Sequence, residues 1–380
     1  MKYGKMPKKQ DLVENGYPVF SGYGIVGSHK EYLYEDPEIV VIARGVGGCG
    51  DIKMSPPKAY ITNLCIVLTI KDSNVLKKYL YYRLLSTSLR SLNTGAAQPQ
   101  IVIADLNKYK VKLPPLQLQR KIAAILSAYD DLIENNTRRI KILEEMARLI
   151  YREWFVKFRF PGHEKVRMVD SELGPIPEGW EVRRLSNFGN VVTGKTPSKA
   201  IPEYYGDYMP FIKTPDMHGN VFCILTSEML SERGAASQKA KTLPPNSLCV
   251  SCIGTAGVVS ITCFQSQTNQ QINSIIPNNL ADREFLYFTL KGLKNTINQF
   301  GANGATMINL NKSKFEGLKV VYPSKELVFA FHEITYPIFE LIKKIQMKNL
   351  ILRRTRDLLL PKLISGELDV EDLDIAAGGD

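Results

Sequence analysis

Long apolar runs are missing from these 380 residues, and the basic start MKYGKMPKKQ is not followed by the apolar stretch of a secretion signal. Cysteine is scarce. Six residues at uneven spacing do not make a disulfide framework, which fits a reducing compartment. Together these absences lead us to expect a soluble, cytoplasmic chain with no membrane contact. Histidine is rarer still, with four residues at 29, 163, 218 and 332, scattered and suggesting no triad. We read no P-loop nucleotide site and no Asn/Asp-Pro-Pro-aromatic motif of amino-methyltransferases.

Three partial matches fail on their surroundings. Gly45-Val46-Gly47-Gly48-Cys49-Gly50 has the GxGxxG spacing after a strand-like run, but DIKMSPPKAY follows where a dinucleotide site needs a helix. A glycine turn between strands is expected instead. Cys223, Cys249, Cys252 and Cys263 are four in number, yet Cys249 and Cys252 lie in an apparent strand, where positions three apart face opposite sides. Buried free cysteines are expected. Glu38 with Asp51-Ile52-Lys53 loosely resembles a nuclease carboxylate-lysine cluster, and nothing acidic occupies the matching place around Val258-Val259-Ser260. No catalytic centre, metal site or cofactor site emerges.

What is present is positive charge, a repeat and two helical seams. The net charge is +11, and 44% of residues are hydrophobic, enough for sizeable cores in two or three domains. Residues 1–113 carry 16 basic against 9 acidic residues, and 159–323 carry 17 against 13. Residues 114–158 stand at 8 against 6, and 324–380 at 8 against 10. The charge therefore sits in the two large blocks, and a basic block of this kind suggests a polyanion, most simply nucleic acid.

The blocks repeat. Gly4-Lys5-Met6-Pro7-Lys8-Lys9 matches Gly194-Lys195-Thr196-Pro197-Ser198-Lys199 at an offset of 190. Gly47 and Gly50 match Gly254 and Gly257 at 207, after the strand-like runs EIVVIAR and NSLCVSC. Thr62-Asn63 matches Thr268-Asn269, and YLYYRLL matches FLYFTLK, at 206. Gly95-Ala96 matches Gly304-Ala305, and Pro114 matches Pro323, at 209. Slow drift of the offset is what loop insertions produce. Each half is thus a mixed block of short β-branched runs with one late helix, then a helical block. The second half has a run-up, GPIPEGWEVRRLSNFGN, before its Gly-Lys, and the first lacks it. The natural start falls inside the repeat, or the gene or its annotation is truncated.

The helical blocks carry seams at alternating steps of 4 and 3. The first runs Ile122, Leu126, Tyr129, Ile133, Asn136, Ile140, Leu143, Ala147, Ile150, Trp154. Shifting by 209 gives Phe331, Thr335, Ile338, Ile342, Ile345, Asn349, Leu352, Arg356, Leu359, Leu363. Such seams point to a mutual coiled coil rather than to two helices packed only on their own domains. A capping box at Ser127–Asp130 and a proline at 337 predict breaks, with short helices at 116–126 and 325–334 and long ones at 128–157 and 337–364. In an antiparallel pair, end-to-end alignment makes facing residue numbers sum to 485, which sets Asn136 against Asn349 and Tyr129 against Arg356. Aligning only the long helices gives 492 and sets Asn136 against Arg356.

In this order, the parts resemble the specificity subunit of type I restriction-modification systems. GPIPEGWEVRRLSNFGNVVTGKTPS is similar to the opening of that family's target recognition domain. LPPLQLQRKIAAILSAYDDLI is similar to its first conserved region, and RDLLLPKLISGEL to the end of its second. The resemblance implies an α/β (α+β) fold with two target recognition domains, at 1–113 and 159–323, joined by two long antiparallel helices within 114–158 and 324–366. An acidic tail follows at 367–380. It implies double-stranded DNA as ligand, each domain reading half of a split target, with two methyltransferase subunits and restriction subunits as partners. S-adenosylmethionine, ATP and magnesium then belong to those partners, and the chain itself is not an enzyme. The first domain departs from the pattern by its missing run-up, which puts its first strand in doubt.

Two readers on one face of a duplex sit about 34 Å apart, or a multiple of that. A helix pair of thirty residues, about 45 Å long, is a plausible ruler. The candidate DNA contacts are Lys5, Lys8 and Lys9 in one half and Lys195 and Lys199 in the other, with Arg44 at a strand-turn junction. Two other classes compete: a stand-alone nuclease or fused restriction-modification enzyme, which would act on DNA alone, and a scaffold without DNA.

Overall fold

The computed structural model describes residues 1–45, 48–94, 99–302 and 309–375, the side chains of 300–302 excepted. Gly47, Gly95, Ala96, Gly304 and Ala305, all used in the repeat alignment, lie outside the described residues, as does the end of the tail from 376. The chain divides into two compact units, residues 1–133 with 351 onward, and Glu134–Leu350.

In the first unit a four-stranded antiparallel sheet runs in the order Lys2–Tyr3, Cys65–Leu68, Ile39–Ile42, Ile52–Met54. The IVVI strand at its centre is buried on both faces. Ile39 and Val41 enter a core with Leu84, Leu89 and Leu106, while Val40 and Ile42 enter another with Phe20 and Ile61. A second sheet orders Leu12–Val13, Gly24–His29, Tyr17–Ser21 and Tyr60–Ile61, the last pair parallel.

The second unit repeats this plan in its hydrogen bonds. Its central sheet contains Gly189–Thr193, Ile272–Pro277, Leu248–Ser251 and Val259–Thr262 in the same order, extended by Phe222–Cys223. Ile42 faces Cys65 as Ser251 faces Ile272. The parallel pair Phe20 and Ile61 recurs as Ile212 and Thr268. This last equivalence fixes the local offset at 207, so Thr62 corresponds to Asn269 rather than to Thr268. Strand pairing, unlike residue identity, cannot slip by one without turning every side chain to the other face.

The two units differ at one strand pair. In the second unit Glu181–Arg184 pairs antiparallel with Lys319–Tyr322. The equivalent of the latter, 110–113, forms no strand.

The expected helix breaks do not occur. One helix runs Leu116–Tyr151, continued by a π-helical turn at Arg152–Val156, and the other runs Lys325–Ser365. The capping box is diverted: Ser127 Oγ donates back to Ala124 O, and Asp130 accepts from Tyr82 Oη at 2.6 Å and pairs with Arg356. Pro337 lies on an exposed face of its helix, where its missing amide costs least. Nearby, Thr335 is buried and donates its hydroxyl to Phe331 O at 2.7 Å. Packing on either side outweighs both local stop signals.

Within each unit the two long helices meet antiparallel. In the second, Trp154 lies 6.1 Å from Phe331 between ring centroids, and Asn136 Nδ2 donates to Asn349 Oδ1 at 2.8 Å, both as the sum of 485 requires. In the first, Ile122, Leu126 and Leu363 share one core. Of the remaining seam positions, Ile133, Ile342 and Ile345 are buried, while Ile140, Leu143, Ile150 and Ile338 are half-buried against the core of the second unit. Tyr129, Leu352 and Leu359 are also half-buried. The Tyr129–Arg356 stacking is replaced, because the Arg356 guanidinium goes to the carboxylates of Asp130 and Asp357. A carboxylate in reach outcompetes a ring face.

The helices also pack on their domains, which the coiled-coil expectation understated. Tyr79 and Tyr82 of the helix Lys77–Leu85 join Ile122, Ala123 and Leu126. Tyr287 and Phe288 of the helix Arg283–Gly292 meet Phe339 edge to face, with ring centroids 5.3 and 5.8 Å away. Beside them Glu284, fully buried, takes Arg283 on one oxygen and His332 Nδ1 on the other at 2.7 Å. Asn246 and Glu340 complete the shell of Arg283. A buried charge held in this way resists separation of the domain helix from the long helix.

Candidate nucleic-acid interface

The two Gly-Lys-x-Pro segments are built alike. Gly4 N donates to Cys65 O and Lys5 N to Ile61 O, at 3.0 and 2.9 Å. In the second unit Gly194 N donates to Ile272 O and Lys195 N to Thr268 O, at 3.1 and 3.0 Å. A Cβ on either glycine would overlap the carbonyl oxygens of 61–62 or 268–269, which explains the residue type without reference to ligand. A tyrosine pins each loop: Tyr60 Oη donates to Met6 O at 3.4 Å and Tyr205 Oη to Pro197 O at 2.8 Å.

The next strand end lies beside this loop. Ala43 N donates to Leu64 O at 2.8 Å, and Cys252 N to Gln271 O at 2.7 Å. Gly4-Lys5 and Ala43-Arg44 therefore flank Leu64-Cys65 at one end of the central sheet, and Gly194-Lys195 and Cys252-Ile253 flank Gln271-Ile272 in the same way. Arg44 is exposed and bridges Gln100 through its backbone, and Ile253 bridges Asn309 at the equivalent place. The fold thus brings Lys5 and Arg44 to the same end of the central sheet, on either side of Leu64-Cys65. Lys8 and Lys9 are exposed where the loop leaves the sheet, at the short 3-10 turn Lys9–Asp11.

The two ends differ in charge and chemistry. Lys199 shares the Glu228 carboxylate with Lys213, at 3.3 and 3.0 Å, and these lysines, Lys213 first, hold Glu228 below the usual carboxylate range. Lys195 is exposed, so the second domain offers less uncommitted charge here than the first. It offers amides instead. Exposed Gln270 accepts from Thr196 Oγ1, and Asn269 donates to Gln271 Oε1 at 3.1 Å. These amides were missed by a search for charge; the signal was the run Thr268-Asn-Gln-Gln271. Arginine suits guanine edges and Asn or Gln suits adenine edges. Beside the first loop an apolar cleft of about 470 Å³ is lined by Met6, Pro7, Leu12, Val26 and Thr62, among others.

Residues that had suggested chemistry are committed elsewhere. Glu38 pairs with Lys77 at 3.3 Å, Asp51 with Arg90 at 3.0 Å, and Lys53 donates to Gly22 O at 2.6 Å. After Gly45–Gly50 comes the strand Ile52–Met54, not a helix. Cys249 is buried, and burial pushes its thiol up to about 12 and that of Cys252 to about 11. No helix among the described residues is long and apolar enough to cross a membrane.

Residues 1–145 and 177–348 match the family described as type I restriction modification DNA specificity domain. The chain is 33% identical over 373 residues to the HindI specificity subunit of Haemophilus influenzae, covering 81% of each protein. It is 29% identical over 312 residues to the MjaIX specificity subunit of Methanocaldococcus jannaschii, covering 80% of this chain and 72% of that one. The crystal structure of the type I restriction-modification S subunit from M. genitalium has the same fold, with a TM-score of 0.59 at 19% identity, covering 95% of this chain and 92% of that one.

Proposed function

The chain belongs to the type I restriction-modification DNA specificity family, and on that premise we propose that each of its two domains reads one half of a bipartite DNA target. One observation carries this reading: the same backbone hydrogen bonds frame this sheet end in both domains, yet different side chains are presented there. Arg44 and Gln100 in one domain stand where Ile253 and Asn309 stand in the other. A duplicated frame with changed tips suits two readers of different sequences. Lys5, Lys8, Lys9, Lys195 and Lys199 hold phosphates, and Arg44 reads a base edge.

The long helices set the spacing between half-sites and dock two methyltransferase subunits, and restriction subunits join these. The chain is non-catalytic, and S-adenosylmethionine, ATP and magnesium are bound by the partners. It acts in the cytoplasm, where the DNA is. The test is to express it with modification subunits and map methylated bases genome-wide. A single asymmetric bipartite motif is expected, and Arg44→Ala should relax one half of it only. Methylation at a continuous motif, or relaxation of both halves, would overturn the reading.

A further inference from the structure

The hairpin of the first domain, Tyr17–Ser21 with Gly24–His29, is apolar outside as well as inside. Val19 and Phe20 are buried, but Tyr23 at the turn is 76% exposed, Ile25 64% and Val26 57%. Regular alternation would turn one of two neighbours inward. A β-bulge prevents it here. Val19 faces Gly27 and Phe20 faces Ile25, so Val26 is the extra residue, and both Ile25 and Val26 are left in the open. The turn is fixed to the central sheet. Lys53 Nζ donates to Gly22 O at 2.6 Å, and a Cβ on Gly22 would lie 3.0 Å from Ile42. The Tyr23 hydroxyl lies 3.4 Å from where a Cβ on Gly45 would stand, so the tip reaches the sheet end that carries Arg44.

Val19 and Val26 also line the cleft of about 470 Å³, opposite Met6 and Pro7 of the Gly-Lys-x-Pro loop. The chain around it is basic. Residues 1–13 hold Lys2, Lys5, Lys8 and Lys9 against one carboxylate, Asp11, which Lys30 takes at 2.8 Å. The second domain differs at the same place. Phe20 and Ile61 correspond to Ile212 and Thr268, so Val19 corresponds to Phe211, and its partner Gly27 to Glu228. There the surface is the ionic cluster of Glu228 with Lys199 and Lys213. The run-up of the second domain does not account for this difference. Glu181–Arg184 pairs with Lys319–Tyr322 and Gly189–Thr193 with Ile272–Pro277, both outside the sheet of Tyr205–Ile212 and Glu228–Leu230.

We propose that Ile25 and Val26 read thymine in the half-site of the first domain, through its 5-methyl group in the major groove. This rests on the domain reading DNA and adds the chemistry that it reads. A two-stranded ribbon fits the major groove, and the thymine methyl is the apolar marker that the groove displays. Charge selects the occupant. An apolar strip set among lysines matches a surface that carries methyls between phosphates, and a duplex supplies both. Lys5, Lys8 and Lys9 hold the backbone beside the strip, while Ile25 and Val26 meet the methyl. Glu228 and its lysines occupy this place in the second domain, so the methyl reader serves one half-site only.

The test uses the full chain assembled with its modification subunits, and duplexes of its methylated target in which each thymine in turn is replaced by deoxyuridine. Uracil pairs as thymine does and lacks only the methyl. Loss of one buried methyl should weaken binding about fourfold. At one or more thymines of one half-site this penalty should appear in the parent and vanish in Ile25→Ser with Val26→Ser. Penalties in the other half-site should stay. Both positions are exposed, so the variant should keep the parent's melting temperature, and low salt keeps its weaker binding measurable. Specific binding in which no uracil penalty responds to the variant would overturn the methyl reader and leave the two-reader scheme standing. A parent complex that holds no specific duplex would overturn both. A folded variant that no longer assembles with the modification subunits would make the strip a protein contact and overturn the proposal.

Discussion

Replacing Asn136 by leucine removes the amide that donates to Asn349 Oδ1 in the buried seam. Asn349 is 3% exposed, and its Nδ2 also donates to Thr137 Oγ1 at 3.4 Å. Breaking a buried amide pair by removing one partner costs about 1–3 kcal/mol, whichever of Asn136 and Asn349 is replaced. The double replacement removes both amides together and adds apolar contact, so it should be near neutral or stabilising. The cycle should therefore show a coupling of at least about 2 kcal/mol, towards or above the top of the usual range for touching residues. Urea unfolding of the four proteins, followed by far-UV circular dichroism, measures it. Single effects that add to the double within about 0.5 kcal/mol would refute a direct amide pair. The pair should also hold register. A cysteine pair at Ile140 and Ile345 keeps the sum of 485, and one at Ala147 and Ile345 requires a slip of one heptad. Under oxidant the parent helices should trap only the first pair, and the double-leucine protein both. Trapping of the slipped pair in the parent would show that the asparagines set no register.

Gly194→Ala drives a methyl into the Thr268 and Asn269 carbonyls, so it should destabilise by about 1–3 kcal/mol in thermal unfolding, whereas Gly219→Ala, with open space at Cβ, should act through backbone strain alone. Glu284→Gln leaves Arg283 and His332 without their shared carboxylate and should cost about 3–5 kcal/mol, read by the same unfolding assay. Native alkylation at pH 8 should label half-buried Cys263 first, since burial raises Cys249 to about 12 and Cys252 to about 11, and peptide mass spectrometry reads the order. In the assembled complex, Lys5→Ala, Lys8→Ala and Lys9→Ala together should lower the salt slope of DNA binding by about 0.9 for each lysine that held a phosphate. An unchanged slope would remove these lysines from the interface.

The sequence by itself determined the plan of two domains, each followed by a long helix, because duplication leaves the same glycine, lysine and proline at the same structural duty. It also narrowed the asparagine pairing to one of two registers, because a 3.5-residue seam has few of them, and the structure decided for the sum of 485. Where the helices end was not legible. Ser127 and Pro337 are local stop signals, and whether they act depends on Tyr82, Arg356 and Phe331, which arrive from far along the chain. The choice of Asp130 over Tyr129 by Arg356 was hidden for the same reason, since it turns on side-chain reach and not on register. Within the candidate interface, charge made the lysines visible. Only the tertiary structure could set Lys5 and Arg44 at one end of the central sheet, bring the amides of 269–271 to the matching end, and tie Lys199 to Glu228. Those outcomes depend on which chain segments, well separated in sequence, hydrogen-bond to each other, and no local pattern encodes that.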